Sequence, residues 1–257
     1  MKLGLYPFPS GGDLSENLKH ITRGAALAAG QGVELLAFHE CALCGYPPLE
    51  TSIEAITPEG ISAGLEQVAA LAKTHAMHIA VGTVRFDSGK RYNSVAVFTP
   101  DGAVLGYYDK QALWGWDCDH FSRGTQPGVF EICGVKVGFR ICFDVRFPEP
   151  FRQLYKAGAD LCIVCFSDTA KTPDHGRYRL ISAHLQTRAV ENVLPIAAVN
   201  SLSGCQTAPV CVISADGTVL YETPKNAETL LTWDFSPAVE SFGSRGRRVN
   251  SDYFLTR

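Results

Sequence analysis

The chain has no run of about eighteen uninterrupted apolar residues, the length a helix needs to cross a bilayer, so no spanning segment is expected. Its first residues, Met1 to Pro7, lack the long apolar stretch and the cleavage site of a signal peptide. It also lacks charge of one sign. Lys and Arg number 23 against 26 Asp and Glu, a net of −3, which leaves no electrostatic footprint for nucleic acid or an anionic membrane. The nine cysteines are odd in number and follow no repeated spacing. Cys41-Ala42-Leu43-Cys44 is the sole CxxC, with neither a second CxxC nor a histidine pair, so no metal site is expected. Cys162, Cys165 and Cys211 lie in apolar runs and read as packing. A disulfide scaffold does not suit 257 residues, and a reducing cytoplasm fits this cysteine usage best. No low-complexity linker and no internal repeat divides the chain. The expectation is one domain over residues 1–257, with 236–257 a polar tail over the surface or a partner subunit.

What is present is 46% hydrophobic sequence in two alternating kinds of pattern. Apolar residues recur at helical spacing in Asp13 to Ala29, in Thr57 to His75, in Pro148 to Ala157 and in Asp174 to Asn192. Thr57-Pro58 reads as a cap followed by a first-turn proline, and Gly30 to Gly32 as a stop. Short apolar runs read as strands at Lys2 to Phe8, Val33 to Phe38, Ile79 to Val84, Leu161 to Phe166, Ile196 to Val199 and Leu230 to Phe235. Pro100-Asp101-Gly102, Cys133-Gly134 and Asp216-Gly217 sit between paired runs and read as hairpin turns. Interleaved strands and helices with hairpins between some of them make an α/β protein with a mixed sheet or two sheets.

One stretch carries more than packing. Val135 to Ile141 is a β-branched run, Cys142 to Phe147 a charged and aromatic turn, and Pro148-Glu149 a helix start. A cysteine just past the C-terminal end of a strand is where α/β folds place chemistry. Most free cysteines are buried packing residues, but a packing cysteine does not need Asp144, Arg146 and Glu149 crowded into the same turn. Those three are expected to brace the turn through ion pairs and helix-start hydrogen bonds, and Arg188 is expected to pair with Glu191, three residues on.

Ile141-Cys142-Phe143-Asp144-Val145-Arg146-Phe147-Pro148-Glu149 resembles the nucleophile motif of the nitrilase superfamily, the carbon–nitrogen hydrolases. Leu35 to Glu40 followed by Gly45-Tyr46 resembles the family's strand ending in its glutamate. Tyr92-Asn93-Ser94, then Asp101-Gly102 and Gly106 to Lys110, resembles the segment ending in its lysine. Gly158 to Leu161 and Arg188 to Asn192 match two further landmarks. The motifs stand in the family's order and cover nearly the whole chain.

The resemblance implies a four-layer αββα sandwich, helices outside two packed sheets, that associates as a homodimer or higher homo-oligomer. It implies a hydrolase for a non-peptide C–N bond of a small-molecule amide, working through a thioester on cysteine, with no cofactor and no metal. By motif position, Cys142 is the nucleophile, Glu40 the general base and then acid, and Lys110 the oxyanion stabiliser. The backbone N–H of Phe143 is a candidate second donor. Where the family often carries a second glutamate, this chain has Trp116-Asp117-Cys118-Asp119, so Asp117 and Asp119 are both candidates for that role, as is its loss. His39 replaces a proline the family usually has before its glutamate. Tyr46, Trp116 and Phe166 are candidate pocket walls, alongside Trp114, and Arg146 is a candidate contact for an acidic substrate, with Lys171, His175 and Arg177. The turn after Cys142 resembles the Nit-type and omega-amidase branch, which favours amides over nitriles. A nitrilase, an N-carbamoyl hydrolase, a catalytically weak scaffold member and a thiol sensor with Cys118 or Cys133 as resolving partner are the competing readings.

Overall fold

The structure is a computed structural model and describes residues 1–237 and 241–255. Its elements run β1 (Lys2–Leu5), α1 (Leu14–Gly30), β2 (Leu35–Ala37), α2 (Pro58–His75), β3 (His78–Asp87), β4 (Lys90–Phe98) and β5 (Val104–Asp109). A short helix α3 (Asp117–His120) leads to β6 (Val129–Ile132), β7 (Val135–Ile141), α4 (Pro148–Lys156), β8 (Leu161–Phe166) and β9 (Thr169–Ala170). Then come α5 (His175–Asn192), β10 (Ile196–Asn200), β11 (Cys205–Gln206), β12 (Cys211–Ile213), β13 (Val219–Glu222), β14 (Leu231–Asp234) and α6 (Phe242–Leu255).

The helix starts follow their side-chain chemistry. Asp13 accepts from the N–H groups of Ser15 and Glu16, Thr57 from Gly60 and Asp174 from Arg177, each satisfying orphan donors of a first turn. The strands form two six-stranded sheets, β14-β1-β2-β3-β4-β5 and β13-β12-β10-β8-β7-β6. In each, three central strands are parallel (β1, β2, β3 and β7, β8, β10) and antiparallel strands flank them.

Strand alternation makes the layers. In β2 and the residue after it, Leu36 and Phe38 face α1 and α2, packing with Ile21, Ala25, Ile61 and Val68. Leu35 and Ala37 point the other way, into a second core shared with Val137, Phe139, Ile141, Ile163 and Val199 of the opposite sheet. From that sheet's outer face Cys162, Val164 and Phe166 meet Phe151, Leu154, Ile181 and Leu185 of α4 and α5. Helices, sheet, sheet, helices is the four-layer αββα sandwich. Cys162, Cys165 and Cys211 are fully or almost fully buried in these cores.

The stretch expected as a polar tail is mostly helix. Ser241 and Ser244 cap α6 reciprocally, Ser244 N–H to Ser241 Oγ at 3.1 Å and Ser241 N–H to Ser244 Oγ at 2.8 Å. The helix lies on its own chain, where Tyr155 donates to Asp252 at 2.8 Å and Arg152 to Ser251 at 3.1 Å. Residues 238–240, 256 and 257 of that expected tail lie outside the described residues.

Candidate active site

The C-terminal ends of the parallel strands β2, β7 and β8, and of β5 in the antiparallel flank, deliver the polar groups. Glu40 follows β2 by three residues, Lys110 directly follows β5, Cys142 directly follows β7 and Ser167 directly follows β8. The Glu40 segment lies hard against β3. Gly82 makes this possible, because a Cβ there would overlap the carbonyl of His39 and the amide of Cys41.

Glu40 and Lys110 are each 1% exposed, so both charges must be satisfied inside the protein. Lys110 Nζ donates to Glu40 Oε1 and to Asp117 Oδ2, both at 2.8 Å. Asn93 Nδ2 donates to Glu40 Oε1 and the Ser167 N–H to Glu40 Oε2, again both at 2.8 Å. The Tyr46 hydroxyl donates to Asp117 Oδ1 at 2.7 Å, and the Tyr46 ring lies 5.6 Å from Lys110 Nζ. Burial raises the Glu40 pKa and Asp117 adds to the rise, against the pull of Lys110 and Asn93. Burial works against the Lys110 ammonium, but Glu40, Cys142 and Asp117 outweigh it and hold its pKa well above the ordinary lysine value. Burial, then the Glu40 charge, pushes the Cys142 thiol pKa up, with Lys110 opposing.

Cys142 has φ 41°, in the left-handed region, a conformation that costs a β-carbon residue about 1–3 kcal/mol and is held by its surroundings. The holding group is Asp144. Its carboxylate accepts from Ile141 N–H at 2.9 Å, Ala112 N–H at 2.7 Å, Gln111 N–H at 3.2 Å and the Tyr108 hydroxyl at 2.7 Å. The expected ion pairs of this turn are therefore replaced by N–H and O–H donors. One buried carboxylate ties the segment after Lys110 to the turn that carries Cys142. Glu149 is exposed and makes no hydrogen bond or ion pair among the described residues. Arg188 does pair with Glu191, at 2.9 Å, and also donates to the carbonyl of Val145.

Cys142 opens onto a cavity of about 480 Å³ lined by Tyr46, Trp114, Phe143, Arg146, Asp168 and Leu180, among others. Arg177 also reaches it but is paired with Asp168, Nε to Oδ1 at 2.8 Å. Arg146 makes no ion pair or hydrogen bond among the described residues. Five candidates are placed elsewhere. Asp119 is exposed on α3, two residues and about half a helical turn from Asp117. Trp116 stacks on His120 at 3.7 Å and packs against the first core instead of facing the cavity, a role Trp114 takes. Phe166 is fully buried under α5, and Ser167, one residue on, faces the site. Lys171 and His175 are exposed and do not line the cavity. His39 is fully buried edge-on to Phe8, and burial depresses its pKa to about 3. Sequence reasoning missed Ser167 and Asp168. Ser167 acts through a backbone N–H, which leaves no mark in side-chain identity.

A thiol, a carboxylate and an ammonium gathered at the strand ends of an αββα sandwich define a protein of the cysteine-centred hydrolase type. The chain belongs to the carbon–nitrogen hydrolase family, whose model matches residues 4–241. The 2-oxoglutaramate amidase of Bacillus subtilis (strain 168) is 33% identical over 132 residues, 50% of this chain and 49% of that protein. The omega-amidase of Xenopus tropicalis is 34% identical over 160 residues, 58% of this chain and 57% of that protein. The matches thus span about half the length of these curated relatives. An amidase from Nesterenkonia sp. AN1, solved as a cysteine-to-alanine mutant in complex with butyramide, superposes with a TM-score of 0.83 at 25% identity, over 99% of this chain and 96% of that one.

Proposed function

We propose that this protein hydrolyses a small linear amide through a thioester on Cys142, releasing ammonia or an amine and a carboxylate. The observation that carries the reading is the buried Glu40 carboxylate, bonded to the Lys110 ammonium at 2.8 Å and to the N–H of Ser167, which lines the same cavity as Cys142. Glu40 takes the thiol proton as sulfur attacks the amide carbonyl carbon. The oxyanion that forms faces Lys110 Nζ and the Phe143 N–H, and one such fixed donor contributes on the order of 3–4 kcal/mol. Collapse breaks the C–N bond while Glu40 returns its proton to the departing nitrogen. Water, deprotonated by Glu40, then attacks the thioester, and the carboxylate product leaves. Asp117 fills the second acidic position and keeps Lys110 charged and aimed.

The relatives support an amide over a nitrile substrate, since those described above are amidases. The free cation Arg146 in the cavity supports amides that also carry a carboxylate. The chain works as one domain in a reducing cytoplasm, a reading supported by nine cysteines that are all free. Among the described residues no helix is long and apolar enough to cross a membrane. A homo-oligomer is supported by α6, which leaves Phe242, Val249 and Phe254 exposed.

The test is intact-mass spectrometry after mixing with a panel of short amides, esters and nitriles. An acyl adduct on wild-type protein that maps to Cys142 and is missing from Cys142→Ala is expected. Full amide turnover by Cys142→Ala would end the reading.

A further inference from the structure

Behind the catalytic groups lies a second carboxylate that the mechanism does not use. Glu50 is half-buried in the loop after β2, and it accepts three hydrogen bonds from three separate segments. Its Oε1 accepts from the Ser167 hydroxyl at 3.0 Å. Its Oε2 accepts from the Ser10 hydroxyl at 2.7 Å and the Tyr46 N–H at 3.0 Å. Two of those segments end in contacts to the site. Ser167 offers its N–H to Glu40 Oε2, and Tyr46 offers its hydroxyl to Asp117. The third leads back to the residue before Glu40. The single Ser10 proton goes to Glu50, so Ser10 Oγ accepts from His39, 3.0 Å away, and His39 carries its proton on Nε2. That assignment leaves His39 Nδ1 as a bare acceptor, and it is indeed a buried nitrogen without a hydrogen-bond partner among the described residues.

We propose that Glu50 is a positioning residue for the proposed amide hydrolysis, fixing the Ser167 N–H on Glu40 and the Tyr46 hydroxyl on Asp117. The inference rests on the roles assigned to Glu40 and Cys142 above. An N–H aimed at a carboxylate favours its charged form. A carboxylate accepts at both oxygens, whereas an amide in its place has one oxygen and one N–H donor group, so Glu50→Gln cannot accept on both sides. The Ser167 segment is then released, Glu40 loses a donor, and its proton affinity rises. Glu40 is faced by Lys110, Asp117, Cys142, Tyr46, Cys41 and Cys165, and none of these is itself substituted in the variant.

The readout is the pH dependence of Cys142 alkylation by iodoacetamide, followed by mass spectrometry of the Cys142 peptide. It needs no amide turnover, so it stands apart from the proposed activity. In the wild type the alkylation rate rises with pH as Glu40 becomes able to take the thiol proton. Glu50→Gln is expected to move that acid limb to higher pH and to slow turnover of butyramide about tenfold, the scale of one weakened hydrogen bond to a charged group. Ser167→Ala keeps the N–H but cuts the link to Glu50, and it should shift the limb in the same direction. The double variant should shift it no further than Glu50→Gln alone. An acid limb that coincides with the wild type in both single variants overturns the proposal, even if both lose thermal stability. So does an additive shift in the double variant. A wild type that alkylates normally but turns over no amide overturns the amidase reading instead, and the alkylation profiles still decide the role of Glu50.

Discussion

Lys110 Nζ lies 2.8 Å from Asp117 Oδ2, the same distance it keeps from Glu40 Oε1. One buried cation thus answers two buried carboxylates, and Asp117 is not a surface acid that happens to be near. Breaking a buried pair by removing one partner costs about 3–5 kcal/mol, because the survivor keeps its desolvation penalty. Here Glu40 still pairs with Lys110, so the lower end applies. Asp117→Ala is expected to lower unfolding free energy by about 3 kcal/mol in urea titration. It also strips Tyr46 and the Trp114 N–H of their acceptor. Asp117→Asn keeps the shape but halves the negative charge on Lys110, and kcat/KM should fall by roughly a hundredfold, an electrostatic loss of the size seen when one transition-state donor is misplaced.

The pH profile should report Glu40. Burial and Asp117 raise its folded pKa above the ordinary 4.5. Activity is therefore expected to rise with pH through a limb above 4.5, as Glu40 becomes a base. Lys110 is held far too high to add a limb near neutrality. The stability sign follows from the same direction. A carboxyl that holds its proton more tightly when folded contributes most below its unfolded pKa, and that contribution is lost as pH rises through the folded value. Glu40→Gln is neutral at every pH, so its stability relative to the wild type should increase from pH 4 to pH 8 while its turnover is abolished. Thermal melts across that range measure the trend, and a flat difference contradicts the assigned shift.

Asp144 should matter for geometry more than for charge. It accepts two N–H groups from the segment after Lys110, one N–H from the Cys142 turn, and the Tyr108 hydroxyl. Asp144→Asn turns an N–H donor group toward one of these donors and leaves buried N–H groups unmatched, at about 1–3 kcal/mol for each. A loss of roughly 3 kcal/mol in denaturant unfolding is expected, since more than one donor is affected. Cys142 alkylation should slow in parallel, as the strained turn relaxes.

The division between what sequence shows and hides has a physical basis here. The helix starts at Asp13, Thr57 and Asp174 were legible, Thr57 as a cap, because an N-cap is a local event, set within a few residues. Glu40, Lys110 and Cys142 were legible as an ordered set of motifs, not from spacing, since 102 residues separate the first and last. Asp117 and Asp119 were indistinguishable until the backbone turned them to different sides of one helical turn. Phe166 and Ser167 trade places for a similar reason: the strand's last residue points into the helix layer, and the next one leaves the sheet. Residues 242–255 read as a tail because α6 has a weak apolar stripe, and its serine cap is the only local signal.

Arg146 offers the sharpest test of substrate choice. Of the two arginines lining the cavity, Arg177 is already neutralised by Asp168, while Arg146 has no partner among the described residues. A free guanidinium at the wall of a half-closed cavity is matched by a carboxylate on the substrate, placed away from the amide. The comparison is between butyramide and the monoamide of succinic acid, which share a four-carbon acyl chain and differ by one charge. Arg146→Met keeps most of the side chain's length and removes the cation. One such polar contact is worth about 1–3 kcal/mol in discrimination, so kcat/KM for the acid amide should fall about ten- to a hundredfold, mainly through KM. Butyramide should change less than twofold on the same scale, since it makes no charge contact. Arg146→Lys should recover only part of the loss, because an ammonium cannot grip a carboxylate at two points. Equal losses on both substrates would show that Arg146 shapes the nucleophile turn, four residues from Cys142, and does not read the substrate at all.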